Sequence, residues 1–319
     1  MKNIIITGIS GQDGSYLKKY LLKKDYNIIG IDYKDIHHES QTPRLTNIKA
    51  NITEYNSINT IIQQYRPIQI YHLAALHESS EKKTNQYINF NESLNVNFIS
   101  TMNILNSILK TSPETKVFFA SSSQIFGEQK QLLQDEESVF NPNNIYGLSK
   151  SFATQLCRYY RKYYSLFISV GILYGHESPL RKDKFASKKI VKSAVEIKKG
   201  KRKKLILGNL DAKIDWGYAG DYVVAMYEIL QQKQPTDYVI SSGSISTIRD
   251  FVKMVFQYLD LEWEKYVEID KSIIHFRKNS FQGSNSKLLT NTGWNPTVNI
   301  KELAEIMIEY ELKRISSDV

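Results

Sequence analysis

The sequence has a single cysteine, Cys157, which excludes an intrachain disulfide and any multi-cysteine metal site. Its place in an amphipathic helical pattern makes it a buried structural thiol, so thiol redox chemistry is not expected. No apolar run approaches the ~20 residues that a membrane-spanning helix needs, and no membrane partner is expected. The chain enters the strand-like run Asn3-Ile4-Ile5-Ile6 without a charged leader segment or cleavage site, and a cytoplasmic protein is the expectation. Also absent are an internal repeat, a low-complexity tract and a long flexible linker. No Ser/His/Asp arrangement and no H-E-x-x-H motif is present, and no metal site is expected.

What is present is a globular composition, with 41% hydrophobic residues in 319, enough to bury a full core as one large domain or two interlocked ones. Charge is lopsided at a net +9. The densest basic stretch runs from Lys188 to Lys204 and ends in Lys201-Arg202-Lys203-Lys204. It lacks interleaved aromatics, so a nucleic-acid partner is not expected, whereas a diphosphate-bearing small substrate suits a basic cleft.

Up to about residue 175 short apolar runs alternate with longer helical patterns, which predicts an α/β fold with a doubly wound parallel Rossmann sheet. Strands are expected over Ile4 to Thr7, Ile28 to Asp32, Ile68 to Leu73, Val117 to Ala120 and Leu166 to Gly171. Helical periodicity covers Ser15 to Lys24, Tyr55 to Tyr65, Asn91 to Leu109 and Tyr146 to Tyr164. After Pro179 come a basic helix (Lys184 to Lys199), a short strand (Leu205 to Leu207), a return to the sheet (Asp221 to Gln231, Tyr238 to Ser241) and small terminal helices. Residues 1–175 and about 210–245 are therefore assigned to the sheet domain, and about 176–209 and 246–319 to a smaller C-terminal substrate-binding lobe.

The first strand runs into Thr7-Gly8-Ile9-Ser10-Gly11-Gln12-Asp13-Gly14 and then a helix, with the glycines spaced G-x-x-G-x-x-G. Glycine permits a tight turn and close backbone approach, and a helix N-terminus favours a pyrophosphate. By itself the triplet also fits a plain tight turn. Asp32, at the end of the second strand, supplies a carboxylate for a ribose diol and favours NAD over NADP, with Tyr33 beside it and Lys34 a complication. By itself Asp32 also fits a turn. Asn51 and Ile52 after the third strand, and Leu73, Ala74 and Ala75 after the fourth, fall where a cofactor crevice opens.

Tyr146-Gly147-Leu148-Ser149-Lys150 sets a phenol and an ammonium one helical turn apart on one face. A nearby cation and a nicotinamide's positive charge both favour the phenolate, letting it remove a hydroxyl proton. The same spacing also occurs on plain surface helices. Here a serine cluster, Ser121-Ser122-Ser123, follows the fifth strand, where a hydroxyl can hold the substrate oxygen.

With Gly8, Gly11, Gly14, Asp32, Ser122 and the Tyr146/Lys150 pair in order, the chain resembles the extended short-chain dehydrogenase/reductases that modify nucleotide sugars. Within them it is most similar to GDP-mannose 4,6-dehydratase. The matching stretches are Thr7 to Leu17, Gly171-Ile-Leu-Tyr-Gly-His-Glu-Ser-Pro179, and Gly208 to Gly217 followed by Asp221-Tyr222-Val223. The resemblance covers nearly the whole chain and weakens between Leu261 and Ile274. It implies Ser122, Tyr146 and Lys150 as the catalytic set, Leu173 and His176 by the nicotinamide, and Glu177, Lys188, Asn209, Lys213 and Arg277 as substrate contacts. Each of these contacts also has a plain reading as a surface charge or turn.

Four departures from the dehydratase pattern bear on function. Ser121-Ser-Ser-Gln-Ile-Phe-Gly127 stands where the family carries S-T-S-E-L-Y-G, so Gln124 replaces the glutamate that removes the C5 proton. An amide is no base. Gly175 replaces an asparagine, Ile214 an arginine, and Asp32 lies where arginine-rich NADP recognition is usual. The expectation is an NAD-dependent oxidation of a GDP-sugar (a manno-configured hexose or heptose) at C4, without dehydration. A second substrate would then reoxidise NADH. Rival expectations are the 4,6-dehydratase itself with another acid-base residue, Glu128 or Glu177, then a 4-epimerase, and, from a different class, a non-catalytic NAD-binding sensor. The resemblance also implies a homodimer or homotetramer paired through the helices at Asn91 to Leu109 and Tyr146 to Tyr164.

Overall fold

Ile4, Ile5 and Ile6 are all fully buried in the first strand, which marks a strand covered on both faces. In the computed structural model, which describes residues 2–35, 42–77, 86–129, 133–270, 272 and 282–317, that strand is β1 (Lys2–Thr7). It is joined by β2 (Tyr26–Asp32), β3 (Leu45–Lys49), β4 (Gln69–His72), β5 (Lys116–Ser122), β6 (Ile168–Leu173) and β7 (Asp237–Ile240). They form one seven-stranded sheet in the order β7-β6-β5-β4-β1-β2-β3, with every pairing parallel. The order reverses between β1 and β4, so a crevice opens at their C-terminal ends.

The two-residue period of the strands divides the core. Ile5, Ile29, Ile70 and Phe119 face α2 (Tyr55–Tyr65), α4 (Ser100–Thr111) and α5 (Ile145–Tyr163), where Ile58, Ile62, Leu105, Ala153 and Cys157 lie in the same cluster. Ile4, Ile6, Tyr71 and Phe118 face the opposite way, onto α1 (Gln12–Leu22) and α7 (Ala219–Gln231). A third cluster is separate from both. It joins α6 (Ala186–Lys198), α8 (Ile248–Tyr258) and α10 (Ile300–Ser317) through Val191, Phe251, Val255, Met307 and Ile308. Leu288 and Trp294, in and just after α9 (Ser286–Thr292), pack into the sheet's cluster and not this one, so the expected lobe 246–319 does not share a single core.

Two elements differ from the sequence expectation. The helix expected over Asn91 to Leu109 is α3 (Gln86–Leu94), a five-residue π-helical turn (Asn95–Ile99) and then α4. Its widened turn goes with hydroxyls that bond backbone carbonyls one turn back, Ser100 to Val96 at 2.5 Å and Thr101 to Asn97 at 2.9 Å. The last helix, expected to be small, is 18 residues long because Leu303, Ala304, Met307 and Ile308 bury one side of it. Among the described residues no helix is long and apolar enough to cross a membrane.

Candidate active site

From Thr7 the chain turns through the glycine segment into α1 at Gln12. A Cβ on Gly14 would lie 2.4 Å from the Gly8 carbonyl, so only glycine lets the loop fold back on the first helical turn. Gly11 caps that helix without a side-chain hydrogen bond, so no side chain competes for the amides at its positive end. Asp32 comes beside the loop, accepting from the Ser10 amide at 3.2 Å, while Tyr33 is exposed under the Lys34 ammonium, 5.3 Å from its ring centre.

After β3, Asn51 accepts from the Thr53 amide at 3.1 Å, and Asn103 of α4 donates to the carbonyls of Ile52 and Thr53. After β4, the Ala74 amide donates to Thr7 Oγ1 at 3.3 Å, and Leu73 and Ala75 flank it. The cofactor candidates from the glycine loop, Asp32, Asn51-Ile52 and Leu73 to Ala75 thus share the C-terminal edge of the sheet around the β1/β4 switch. An uncapped helix end, a glycine cradle and a carboxylate at the neighbouring strand end fit a dinucleotide.

On the other side of the switch, Ser122 ends β5 and its hydroxyl accepts from the Gln124 amide at 3.2 Å, starting a short 3-10 turn. Asn144 caps α5 through the Gly147 amide at 2.8 Å. A Cβ on Gly147 would lie 2.4 Å from the Gln124 carbonyl, so glycine in the Y-x-x-x-K stretch is what lets α5 approach the Ser122 turn. The approach brings the Ser122 hydroxyl near the Tyr146 phenol, where it favours the ionised form. Lys150 is 1% exposed, donates to the Ala120 carbonyl at 2.8 Å, and has burial pushing its pKa down to about 7. Leu173 sits beside Ser122 in the register of β5 and β6.

Lys150 by itself does not activate the phenol, and the expectation rests equally on a nicotinamide's positive charge. Burial pushes Tyr146 up to about 12, and the nearby Ser122 hydroxyl and the Arg181 charge offset only part of it. A cation 6.0 Å from the ring centre and committed to a carbonyl is no substitute for a positive charge at the hydroxyl itself.

His77, not singled out from the sequence, lies face to face on Tyr146, with ring centres 4.4 Å apart, and its Nε2 meets the Gln124 side-chain nitrogen at 3.3 Å. Lys184 Nζ donates to its carbonyl at 3.0 Å. Burial, helped by Arg181 and Lys184, pushes His77 down to about 3, so its ring is neutral at physiological pH. The available signal was a histidine soon after the C-terminal end of a central strand. Asn97, in the π turn, was also missed. It bonds both backbone groups of Leu76 and the hydroxyls of Ser93 and Ser149, bracing the stretch before His77 against α5.

The remaining candidates scatter. His176 joins the glycine loop through Asp13, its Nε2 lying 2.9 Å from the carboxylate, and Gln12 donates to its carbonyl at 3.1 Å. Glu177 is buried against Arg181 Nε at 3.0 Å and the Ser187 hydroxyl. Lys188 is buried too, its ammonium pairing with Glu311 of α10 and donating to the Pro179 carbonyl at 2.7 Å, so in this structure it is not offered to a ligand. Asn209 is exposed and accepts from the Asp211 amide at 2.9 Å, and Lys213 is exposed in a two-residue pairing with Ser246 and Thr247. Arg277 lies outside the described residues. Among the described residues no group of three or more His, Cys, Asp or Glu could hold a metal ion.

Comparison with known proteins adds a family to this geometry. The family model for GDP-mannose 4,6 dehydratase matches residues 5–307. GDP-mannose 4,6 dehydratase 2 of Arabidopsis thaliana is 35% identical, over 98% of this chain and 87% of its own. GDP-mannose 4,6-dehydratase of Vibrio cholerae is 30% identical, over 99% of this chain and 95% of its own. Among solved structures, dTDP-glucose 4,6-dehydratase from Bacillus anthracis in complex with NAD superposes with a TM-score of 0.86 at 21% identity, covering 99% of this chain and 98% of that one. RMD from Pseudomonas aeruginosa complexed with NADPH gives 0.81 at 21%, covering 98% and 100%. These two bear on the fold alone. With the family model spanning nearly its full length and relatives of 30–35% identity along it, this chain belongs to the GDP-mannose 4,6 dehydratase family.

Proposed function

We propose that the protein oxidises the C4 hydroxyl of a GDP-sugar, a manno-configured hexose or heptose, to the 4-keto sugar with NAD, and does not go on to eliminate water. The glycine loop and the N-terminus of α1 would hold the cofactor diphosphate, and Asp32 the ribose diol. NAD is preferred over NADP because the Asp32 carboxylate would repel a 2'-phosphate. When bound, the nicotinamide supplies the hydride acceptor and a positive charge. Tyr146, as the phenolate that the nicotinamide's positive charge favours, would take the C4 hydroxyl proton, Ser122 would hold the same oxygen, and Lys150 would add a more distant positive charge 6.0 Å from the ring centre. A second substrate must reoxidise NADH between turnovers.

The observation that carries the absence of elimination is the pair beside Tyr146. Gln124 is an amide, and the imidazole it meets, at a pKa of about 3, is too weak a base to serve at neutral pH. Glu177, one alternative base, is committed to Arg181 and Ser187. Family membership favours a second reading, 4,6-dehydration, since the relatives carry that name. Incubation with GDP-mannose or its heptose counterpart, following NADH absorbance and product mass, separates the two. Oxidation alone gives a product lighter by two hydrogens with stoichiometric NADH. A product lighter by one water, without net NADH, establishes dehydration and sinks the first reading. The same reading includes a homodimer or homotetramer, supported by the exposed aromatics Phe152, Tyr159 and Tyr163 along α5.

A further inference from the structure

The ring of His176 is held from both ends. Its Nδ1 lies 2.8 Å from the Tyr174 carbonyl, and its Nε2 lies 3.0 and 2.9 Å from the two carboxylate oxygens of Asp13. A carbonyl can only accept, and so can an ionised carboxylate, so both ring nitrogens must carry hydrogen. That is the imidazolium. The Tyr222 ring stacks on it with centres 4.8 Å apart, Gln12 bridges the Asp13 carboxylate and the His176 carbonyl, and Ser178 donates to Gln12 at 2.8 Å. Asp13 is the second residue of α1, at the helix end where a cofactor diphosphate would sit. A bare carboxylate there would oppose the incoming anion.

We infer that His176 is a positioning residue for the cofactor, acting as a protonated clamp that covers the Asp13 charge and ties the glycine loop to the chain leaving β6. The inference rests on the cofactor site proposed above. The charged or titratable groups facing His176 are Asp13 from α1, Arg181 from the segment that follows, Tyr222 from α7 and His77 after β4. Burial and Arg181 push the imidazole down, but the Asp13 charge and hydrogen bond outweigh them and hold it above its ordinary value of ~6.5, while His176 in turn holds Asp13 below the usual carboxylate range. The sign follows from the raised value. The clamp is complete below ~6.5 and is lost as pH rises through the folded value, so cofactor affinity falls with rising pH.

The test is an NADH titration on both sides of the His176 midpoint, which nitrogen-15 shifts of the free protein locate. For the native protein, Kd is expected to rise by up to about tenfold per pH unit above the His176 midpoint. In Asp13→Asn the amide can donate to a neutral Nε2 while Nδ1 still donates to Tyr174, so the ring stays in place without charge and Kd should be flat. In His176→Gln the carboxylate is left uncovered and binding should be weak throughout. A flat native profile, or an Asp13→Asn profile with the native slope, overturns the clamp. Should NADH fail to bind at any pH, the cofactor reading fails instead. Nitrogen-15 shifts of His176 in the free protein then decide the ion pair, and a neutral ring at pH 7 overturns it.

Discussion

Tyr146, Gln124 and His77 form one stacked and hydrogen-bonded set, and each makes a different demand on the chemistry. Tyr146→Phe removes the proton acceptor, and NADH formation should fall by about 10²–10⁴-fold with the fold intact by circular dichroism. Retained turnover would mean that another group takes the proton. Gln124→Glu places a carboxylate against the neutral imidazole of His77. If the amide is what stops the reaction at the ketone, this variant should release product lighter by one water, read by mass. An unchanged product would show that the amide at 124 is not the deciding group. The Y-x-x-x-K spacing made Tyr146 and Lys150 legible from sequence because both lie on one helix. His77 was not legible, since its meeting with Tyr146 depends on how the chain after β4 comes to rest on α5.

At the scale of elements, Lys188 shows how a charge in a lysine-rich helix can be either a ligand or a tie. In α6 it reaches Glu311 of α10, a carboxylate with 0% exposure that Arg314 also approaches at 2.9 Å. Removing one member of a buried pair typically costs about 3–5 kcal/mol, and the Arg314 contact that stays on Glu311 keeps the loss below the full figure. Lys188→Met should therefore lower the denaturation midpoint substantially, and Lys188→Met with Glu311→Leu should recover much of it. A variant of unchanged stability that loses substrate affinity would return Lys188 to the substrate. Local sequence was a good guide to the elements themselves. The helix at Tyr55–Tyr65 and the strand at Leu205–Leu207 have the expected bounds. The π turn was hidden because its extra residue shows only in the backbone hydrogen bonding, while the positions buried in and beside it, Ser93, Asn97 and Ser100, are polar and carry no apolar signal.

For the whole molecule, the outer face of α5 is the feature a monomer does not account for. Phe152, Tyr159 and Tyr163 are 43%, 50% and 62% exposed and fall on one side at helical spacing. Such an aromatic face suits self-association. Sedimentation should find a dimer or tetramer at micromolar concentration, and Tyr159→Glu with Tyr163→Glu should give a monomer of unchanged helix content. A native monomer would end the proposal.

The sequence by itself determined the sheet, through apolar runs that must be covered on both faces, and the cofactor crevice, through glycines and Asp32 placed at strand ends. It also placed the Tyr146/Lys150 pair and Gln124, because those positions follow from local spacing. Tertiary structure alone decided the electrostatics. Burial, not Lys150, dominates the Tyr146 phenol; Asp13 holds the His176 imidazole above its ordinary pKa, and Glu311 takes Lys188. The physical reason is common to all three. A pKa or an ion pair depends on which charges meet and how much water is excluded between them, and the partners here come from elements far apart in the chain.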